Sequence, residues 1–188
     1  GRPRALGAGA GPARGRRGAG AGPAAHAAAA GGERVPPAGC LHGVARLTTR
    51  RMPLVTVTRR LRFNAAHRIH NPALSDEENR RLFGKCNHPN WHGHNYVLEV
   101  SVRGEVDPRT GYVVDLGEVA RIAERELVDR MDHRNLNLDV DFLRGVNPTS
   151  ENIVVQCWRV LAPAVAPATL SRLRLWETEN NYVEYEGG

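Results

Sequence analysis

The chain has 188 residues, a length typical of one domain, and a formal net charge of +6. Residues 1–51 hold nine Arg, one acidic residue and no aromatic residue, so they cannot bury enough apolar surface to offset chain entropy. We therefore predict a disordered Gly/Ala/Arg-rich extension over 1–51 and a folded domain over 52–188. Because residues 52–188 carry slightly more acidic than basic side chains, the charge argues against a nucleic-acid partner for the folded part.

Three cysteines, Cys40, Cys86 and Cys157, are too few for a disulfide framework and predict a reducing, cytoplasmic setting. No stretch approaches the ~20 apolar residues of a membrane span, so no membrane partner is expected. The extension is Arg-rich and poor in acidic residues, as mitochondrial transit peptides are. Its Gly and Pro content, however, argues against the amphipathic helix of such peptides.

The first predicted element is a half-buried strand, because apolar and polar residues alternate from Leu54 to His67. Its inward face carries Val55, Val57, Leu61, Phe63, Ala65 and His67. A capping-box pattern, Ser75 followed by Glu78, then predicts a short helix over 75–83. A second strand is predicted over 94–103, where alternation resumes with His92, His94 and Tyr96 on one face.

In the second half of the domain we predict the last strand of the first hairpin, two helices and a second hairpin. A turn at 107–111 predicts a short third strand, Tyr112–Val114, and Asp115 caps a helix that stops at Met131. The run 149–152 opens a second helix that ends at Pro163, and strands are predicted over 172–177 and 182–185. The expected fold is α+β: a four-stranded antiparallel sheet with two helices on one face, in the order ββααββ.

Three histidines form the sharpest candidate site. His92 and His94 lie at i and i+2 on a strand and so point to the same face, and His67 ends another strand on its inward face. Three imidazoles with an open fourth position are the ligand pattern of catalytic zinc. His70 and His88 are competing candidates, but both lie in predicted loops.

Four further residues carry chemistry with open alternatives. Cys86, near the histidines, is equally a metal ligand, a packed thiol or a nucleophile or base. Asp132 beside His133 is either a carboxylate that orients an imidazole or part of a helix C-terminus that favours a cation. Glu177 lies on the inward parity of an apolar strand, so it either meets an Arg or binds a row of N–H donors such as the edge of a pterin or guanine.

These residues occur in segments that together resemble the 6-pyruvoyl-tetrahydropterin synthase family, over about 54–186. The matching segments are Phe63–His67, Phe83–Tyr96, Met131–Asn137, Pro148–Asn152 and Trp176–Asn181. The spacing of five residues between Cys86 and His92 resembles the animal enzymes, whereas bacterial relatives that make carboxy-tetrahydropterin have a gap of three.

The resemblance implies a tunnelling fold in which three subunits join their sheets into a barrel and two trimers stack into a homohexamer, with active sites at the subunit interfaces. It implies conversion of 7,8-dihydroneopterin triphosphate to 6-pyruvoyl-tetrahydropterin with release of triphosphate, in tetrahydrobiopterin biosynthesis.

The resemblance also assigns roles to individual residues. His67, His92 and His94 would bind Zn²⁺, and Cys86 would be the base. Asp132 and His133 would be a catalytic pair from a neighbouring subunit. Glu177 would anchor the pterin, with Thr149 and Ser150 nearby.

Three positions depart from the family pattern: Trp91 replaces a small residue, His88 replaces an Asn, and Ser150 stands where Thr is common. None of them removes a predicted ligand or the base. The alternatives that remain are a carboxy-tetrahydropterin synthase activity and a non-catalytic pterin-binding module.

Overall fold

The computed structural model describes residues 52–188, and the predicted extension over 1–51 lies outside the described residues. Five strands and four α-helices, joined by 3₁₀ and π-helical turns, follow one another along the chain. They are β1 (Leu54–His67), α1 (Asp76–Phe83), a 3₁₀ turn (Gly84–Asn87), β2 (His92–Glu105), α2 (Leu116–Ala123), a π-helical turn (Glu124–Val128), α3 (Asp129–Met131), β3 (Arg134–Asn135), a 3₁₀ turn (Asp141–Leu143), α4 (Ser150–Ala164), β4 (Thr169–Trp176) and β5 (Tyr182–Tyr185).

The strands form one mixed sheet in the order β3-β1-β2-β4-β5. All neighbouring pairs are antiparallel except β1 and β3, which are parallel. The expected four-stranded antiparallel sheet was therefore wrong in strand count and in the direction of one strand, whereas the α+β class is confirmed.

The short strand predicted at Tyr112–Val114 does not form, and the additional strand of the sheet is β3. The turn before Tyr112 closes as predicted, with the Gly111 N–H donating to the Asp107 carbonyl and the Asp107 N–H donating to the Tyr112 carbonyl. Asp115 then caps α2 at once, which leaves no length for a ladder. The Val113 side chain instead lies against Gly104 near the end of β2.

The strand that does form, β3, is only two residues long and pairs Arg134 with Ala65 and Asn135 with Ala66. Two residues are too few for an alternating pattern, so the segment was read as the polar end of a helix. Its pairing fixes the chain just after Asp132 and His133 beside the end of β1.

The register of β1 against β2 builds the core and carries the site at its end. Leu61 lies opposite Leu98, Phe63 opposite Tyr96, and His67 opposite His92. From Leu61 onward the predicted inward residues of β1 are buried, and α2 packs over β1 while α4 packs over β4 and β5. Val55 departs from the prediction, because at the open end of the strand it is 39% exposed.

The helix ends follow their caps. Ser75 and Glu78 complete both bonds of the capping box at α1, as predicted. The Thr149 side chain caps α4 by accepting from the Asn152 N–H. Pro163 does not stop α4 at once, because the helix continues for one residue to Ala164. Within residues 52–188 no helix is long and apolar enough to cross a membrane.

Candidate active site

The ends of β1 and β2 bring three imidazoles together. Because His67 pairs directly with His92, and His94 lies two residues along the same face, the three rings converge below the end of the sheet. Their ligand nitrogens all lie within 4.8 Å of one another, and His67 Nε2 is 3.0 Å from His92 Nε2. The structure thus groups the three predicted ligands, and neither His70 nor His88 belongs to the cluster.

The tautomer of His67 is set by a backbone carbonyl. His67 Nδ1 lies 2.8 Å from the Pro148 carbonyl oxygen, to which it donates its proton, so Nε2 presents a lone pair to the cluster. The side chain is fully buried, and burial lowers the pKa of His67, although the bond to the Pro148 carbonyl opposes the shift. Burial also lowers the pKa of His92. Both rings are therefore kept neutral, which is the form that binds a metal ion.

A polar atom without a partner supports the fit of a cation at this cluster. His94 Nε2 is buried and lacks any hydrogen-bond partner among the described residues. A buried nitrogen without a partner costs about 1–3 kcal/mol, and a metal ion would supply the missing partner for a lone pair. Three neutral imidazoles arranged around one point suit a borderline-soft dication such as Zn²⁺.

A cavity of about 420 Å³ carries the predicted thiol and carboxylate on its wall. Its lining includes Cys86, Glu177, Thr149 and Ser150. Cys86 is exposed in the 3₁₀ turn after α1, and its carbonyl accepts from the Ile69 N–H at 2.8 Å, which ties the turn to the segment that follows β1. The four residues that the resemblance places around the substrate thus share one cavity.

Glu177 lies next to the histidine cluster. Its Oε1 is 3.7 Å from His67 Nε2 and 3.9 Å from His94 Nε2, and it accepts from the Ser150 hydroxyl at 3.1 Å. Among residues 52–188 no Arg or Lys pairs with this carboxylate, so the Arg partner considered for it does not exist there. The carboxylate keeps acceptor capacity for a ligand that presents N–H groups.

Thr149 has a structural task that the sequence pattern had already indicated. Its hydroxyl accepts from the Asn152 N–H at 3.3 Å as the cap of α4. A hydroxyl also has one proton to donate, so capping leaves a free donor on Thr149, which lines the cavity.

Asp132 and His133 lie elsewhere. Asp132 Oδ1 accepts from the Asn64 N–H at 2.7 Å, and Oδ2 is 2.8 Å from His133 Nδ1. The bond from the Asn64 N–H is the main cause that lowers the pKa of Asp132, and the His133 contact adds to it. His133 is exposed and lines a second cavity of about 480 Å³, which includes His94 and Asn95 but not Cys86 or Glu177.

Two participants escaped the sequence reasoning. The Pro148 carbonyl orients His67, but the pattern of side chains along the sequence cannot predict a contact with a backbone group 81 residues away. The Tyr96 hydroxyl is buried without a partner in the described chain, and its ring meets those of His67 and His94 edge-on. Its place on the histidine face of β2 was visible in the alternation, but no role was assigned to it.

The fold and the site together define an α+β protein with three histidines that could hold a metal ion, next to a cavity that holds a thiol and a carboxylate. The family model described as 6-pyruvoyl tetrahydropterin synthase matches residues 56–188. The chain belongs to this enzyme family.

Individual relatives agree with the family model. The chain is 44% identical over 131 residues to the human 6-pyruvoyl tetrahydrobiopterin synthase, covering 70% of this chain and 90% of that protein. It is 46% identical over 139 residues to the putative enzyme of Caenorhabditis elegans, covering 73% and 98%. The solved structure of the C. elegans 6-pyruvoyl tetrahydropterin synthase superposes with a TM-score of 0.70 at 44% identity, covering 73% of this chain and 99% of that chain.

Proposed function

We propose that this protein is a zinc-dependent lyase that converts 7,8-dihydroneopterin triphosphate to 6-pyruvoyl-tetrahydropterin and releases triphosphate, a step in tetrahydrobiopterin synthesis. The observation that carries the proposal is the shared cavity of Cys86 and Glu177 beside the three-histidine cluster. The named relatives at 44% and 46% identity support the same activity.

Each residue at the cavity has a defined task in this proposal. The Glu177 carboxylate accepts N–H groups of the pterin ring, and the Ser150 hydroxyl holds that carboxylate in place. Cys86 Sγ, exposed on the cavity wall, takes the proton from the side-chain carbon of the substrate. When bound at His67, His92 and His94, Zn²⁺ supplies Lewis acidity next to that carbon.

Asp132 and His133 supply the second proton-transfer group. Asp132 Oδ2 accepts from His133 Nδ1–H, which leaves His133 Nε2 free to accept or return a proton. Since His133 lines a different cavity from Cys86 in its own chain, we propose that the pair serves the cavity of a neighbouring subunit.

The sheet edges support the proposed homohexamer of two stacked trimers. β3 pairs only with Ala65 and Ala66, so most of the outer edge of β1 has no strand partner among the described residues, and β5 ends the sheet on the other side. Unpaired edges at both sides of a sheet are the places where sheets of neighbouring subunits join. The cytoplasmic location remains a prediction from the cysteines.

Product analysis tests the proposal. The full chain, loaded with Zn²⁺, is incubated with 7,8-dihydroneopterin triphosphate, and released triphosphate and the mass of the pterin product are measured. Cys86→Ala is expected to lower the rate about 10²–10⁴-fold, the contribution of a positioned base, while Cys40→Ala retains the wild-type rate.

The alternatives give different products. A carboxy-tetrahydropterin as the only product would replace the proposed reaction, and tight pterin binding without turnover would indicate a binding module. Release of triphosphate by Cys86→Ala at the wild-type rate would refute the assignment of the base.

A further inference from the structure

A third cavity borders the 3₁₀ turn that carries Cys86. Its volume is about 380 Å³, and it is formed where the segment after β1 meets α1 and the following 3₁₀ turn. The lining is dominated by basic side chains: Arg68, Arg80, Lys85 and His88, with Asp76 as the single carboxylate.

The three permanent cations of this cavity lack counter-ions among residues 52–188. No carboxylate among residues 52–188 forms an ion pair with Arg68, Arg80 or Lys85. Elsewhere in the described chain arginines such as Arg130 and Arg174 do find carboxylates, at 2.6 Å in both cases. Cations left unpaired around one concave space attract an anion.

Arg68 is fixed in place rather than free in solvent. Its Nε donates to the Asn87 carbonyl at 3.0 Å, and its Nη2 donates to Asn87 Oδ1 at 3.3 Å. Asn87 is itself buried and donates to the Ile69 carbonyl at 2.7 Å. These bonds occupy part of the guanidinium fork and leave its other N–H donors for a ligand, in an orientation that needs no reordering.

Favourable interaction with a helix C-terminus does not account for the whole cluster. Arg80 lies in the last turn of α1, where a cation is stabilised by the helix dipole. Arg68, however, follows β1 and reaches the same space from another element. Two elements therefore direct cations into one cavity, which helix chemistry alone does not require.

The catalytic cavity, by contrast, is unsuited to a polyanion. No Lys or Arg is among the residues that line it, whereas two carboxylates, Glu151 and Glu177, are. The 3₁₀ turn borders both spaces: Cys86 lines the cavity of Glu177, and Gly84, Lys85 and Asn87 line the basic cavity.

We propose that the basic cavity formed by Arg68, Arg80, Lys85 and His88 receives the triphosphate of the substrate while the pterin occupies the cavity of Glu177. This inference rests on the proposed function, because the substrate must carry the phosphates. Lys85 and Arg80 bind the phosphate oxygens, and Arg68 supplies the fixed donors.

The test uses inorganic tripolyphosphate as the probe and the full zinc-loaded chain. Lys85→Gln and Arg80→Gln are each expected to weaken binding of tripolyphosphate by about tenfold, the effect of one charge-assisted hydrogen bond. Arg81→Gln is the matched control, since Arg81 is exposed on the same helix but does not line the cavity. Its affinity should equal that of the wild type.

Kinetics extend the test to the substrate. KM for dihydroneopterin triphosphate should rise in the two variants with little change in kcat, binding of unphosphorylated dihydroneopterin should be unaffected, and tripolyphosphate should compete with the substrate. Wild-type affinity for tripolyphosphate in folded Lys85→Gln and Arg80→Gln overturns the inference, as does non-competitive inhibition. If the wild-type protein forms no product, the proposed function is wrong. The affinities of Arg80→Gln and Arg81→Gln for tripolyphosphate still show whether this cavity binds the anion.

Discussion

A backbone carbonyl determines how the most buried residue of the site acts. His67 is fully buried, and its Nδ1 proton goes to the carbonyl of Pro148, so the ring can face its neighbours only with Nε2. Glu177, 3.7 Å away, adds a negative charge that favours a cation in the cluster. At the scale of single residues, the orientation of His67 and the charge of Glu177 therefore both favour the binding of a metal ion.

Removing one imidazole tests this arrangement. We expect His94→Ala to bind metal at least about 10-fold more weakly, because two ligands hold a dication less firmly than three. Metal content per chain after dialysis, measured by atomic emission, reports the loss. His88→Asn is the control and should retain the metal, since His88 lies outside the cluster. If the control lost its metal and His94→Ala kept it, the assignment of the ligands would be wrong.

The stability of the metal-free protein should depend on pH with a defined sign. Burial lowers the pKa of His67 and of His92 below the ordinary value of 6.5. Below pH 6.5 the unfolded chain binds protons at these two residues and the folded chain does not, so the free energy of unfolding decreases on acidification. Above pH 6.5 the two neutral histidines make their full contribution to stability. The Tm of metal-stripped protein should therefore be lower at about pH 5.5 than at about pH 7.5. A His67→Gln variant should show a smaller difference, and a Tm that rises on acidification would contradict the assignment.

The loop between the 3₁₀ turn that carries Cys86 and β2 ends in an unusual backbone conformation. Trp91, the residue before β2, has φ of 65°, in the left-handed region that bulky residues rarely occupy. Its N–H donates to the His88 carbonyl, which closes the loop between the 3₁₀ turn and the strand. The strain of Trp91 thus lies directly between the thiol and the first ligand of β2.

A glycine at this position should cost little. In Trp91→Gly the relief of left-handed strain, roughly 1 kcal/mol, offsets the lost contacts of a partly buried ring, so we expect the free energy of unfolding to change by less than about 1 kcal/mol. Trp158→Ala is the comparison, because that ring packs against Tyr185 and its loss should cost about 2 kcal/mol or more. Urea unfolding of both variants gives the two values. An equal cost for both would show that the backbone at Trp91 is not strained.

At the scale of the whole molecule, the two halves of the proposed machinery face different cavities. Cys86 and Glu177 line one, and His133 lines the other with Asn64 and Asn95. The Asp132–His133 pair is held there by the Asn64 backbone, whose N–H donates to Asp132 and whose carbonyl accepts from the His133 N–H. A single chain therefore presents Cys86 and His133 at two different cavities.

Mixing two inactive variants tests whether subunits share a site. Cys86→Ala and His133→Ala should each lose activity, because each lacks one group for proton transfer. When the two are unfolded together and reassembled, interfaces between unlike chains regain an intact Cys86 beside an intact His133, and part of the wild-type rate should return. Reassembly of each variant alone is the control. Failure of the mixture to recover any activity would place both groups in one chain.

Much of this arrangement could be read from the sequence where period and parity were strong. The alternation from Leu54 to His67 gave the exact bounds of β1 and the inward direction of His67, and the His-Gly-His spacing grouped the second pair of ligands. The capping box at Ser75 gave the start of α1. These features are local, so side-chain pattern alone carries them.

The failures share a different cause. The strand expected at Tyr112–Val114 was lost to the adjacent cap at Asp115, and β3 was too short to show a period. The basic cavity could not be predicted, because Arg68 and Lys85 meet only when the segment after β1 folds against the 3₁₀ turn. Contacts between distant segments depend on the tertiary fold and not on local spacing.

A metal ion can bind all three histidines only when His67 pairs with His92 in the native register. A slip of β1 by one residue would turn His67 to the opposite face from His92 and His94, and the ion would lose a ligand. The buried face of β1 already favours this register, because a slip would also turn Leu61 and Phe63 out of the core. A metal ion bound by all three histidines would stabilise the same register further.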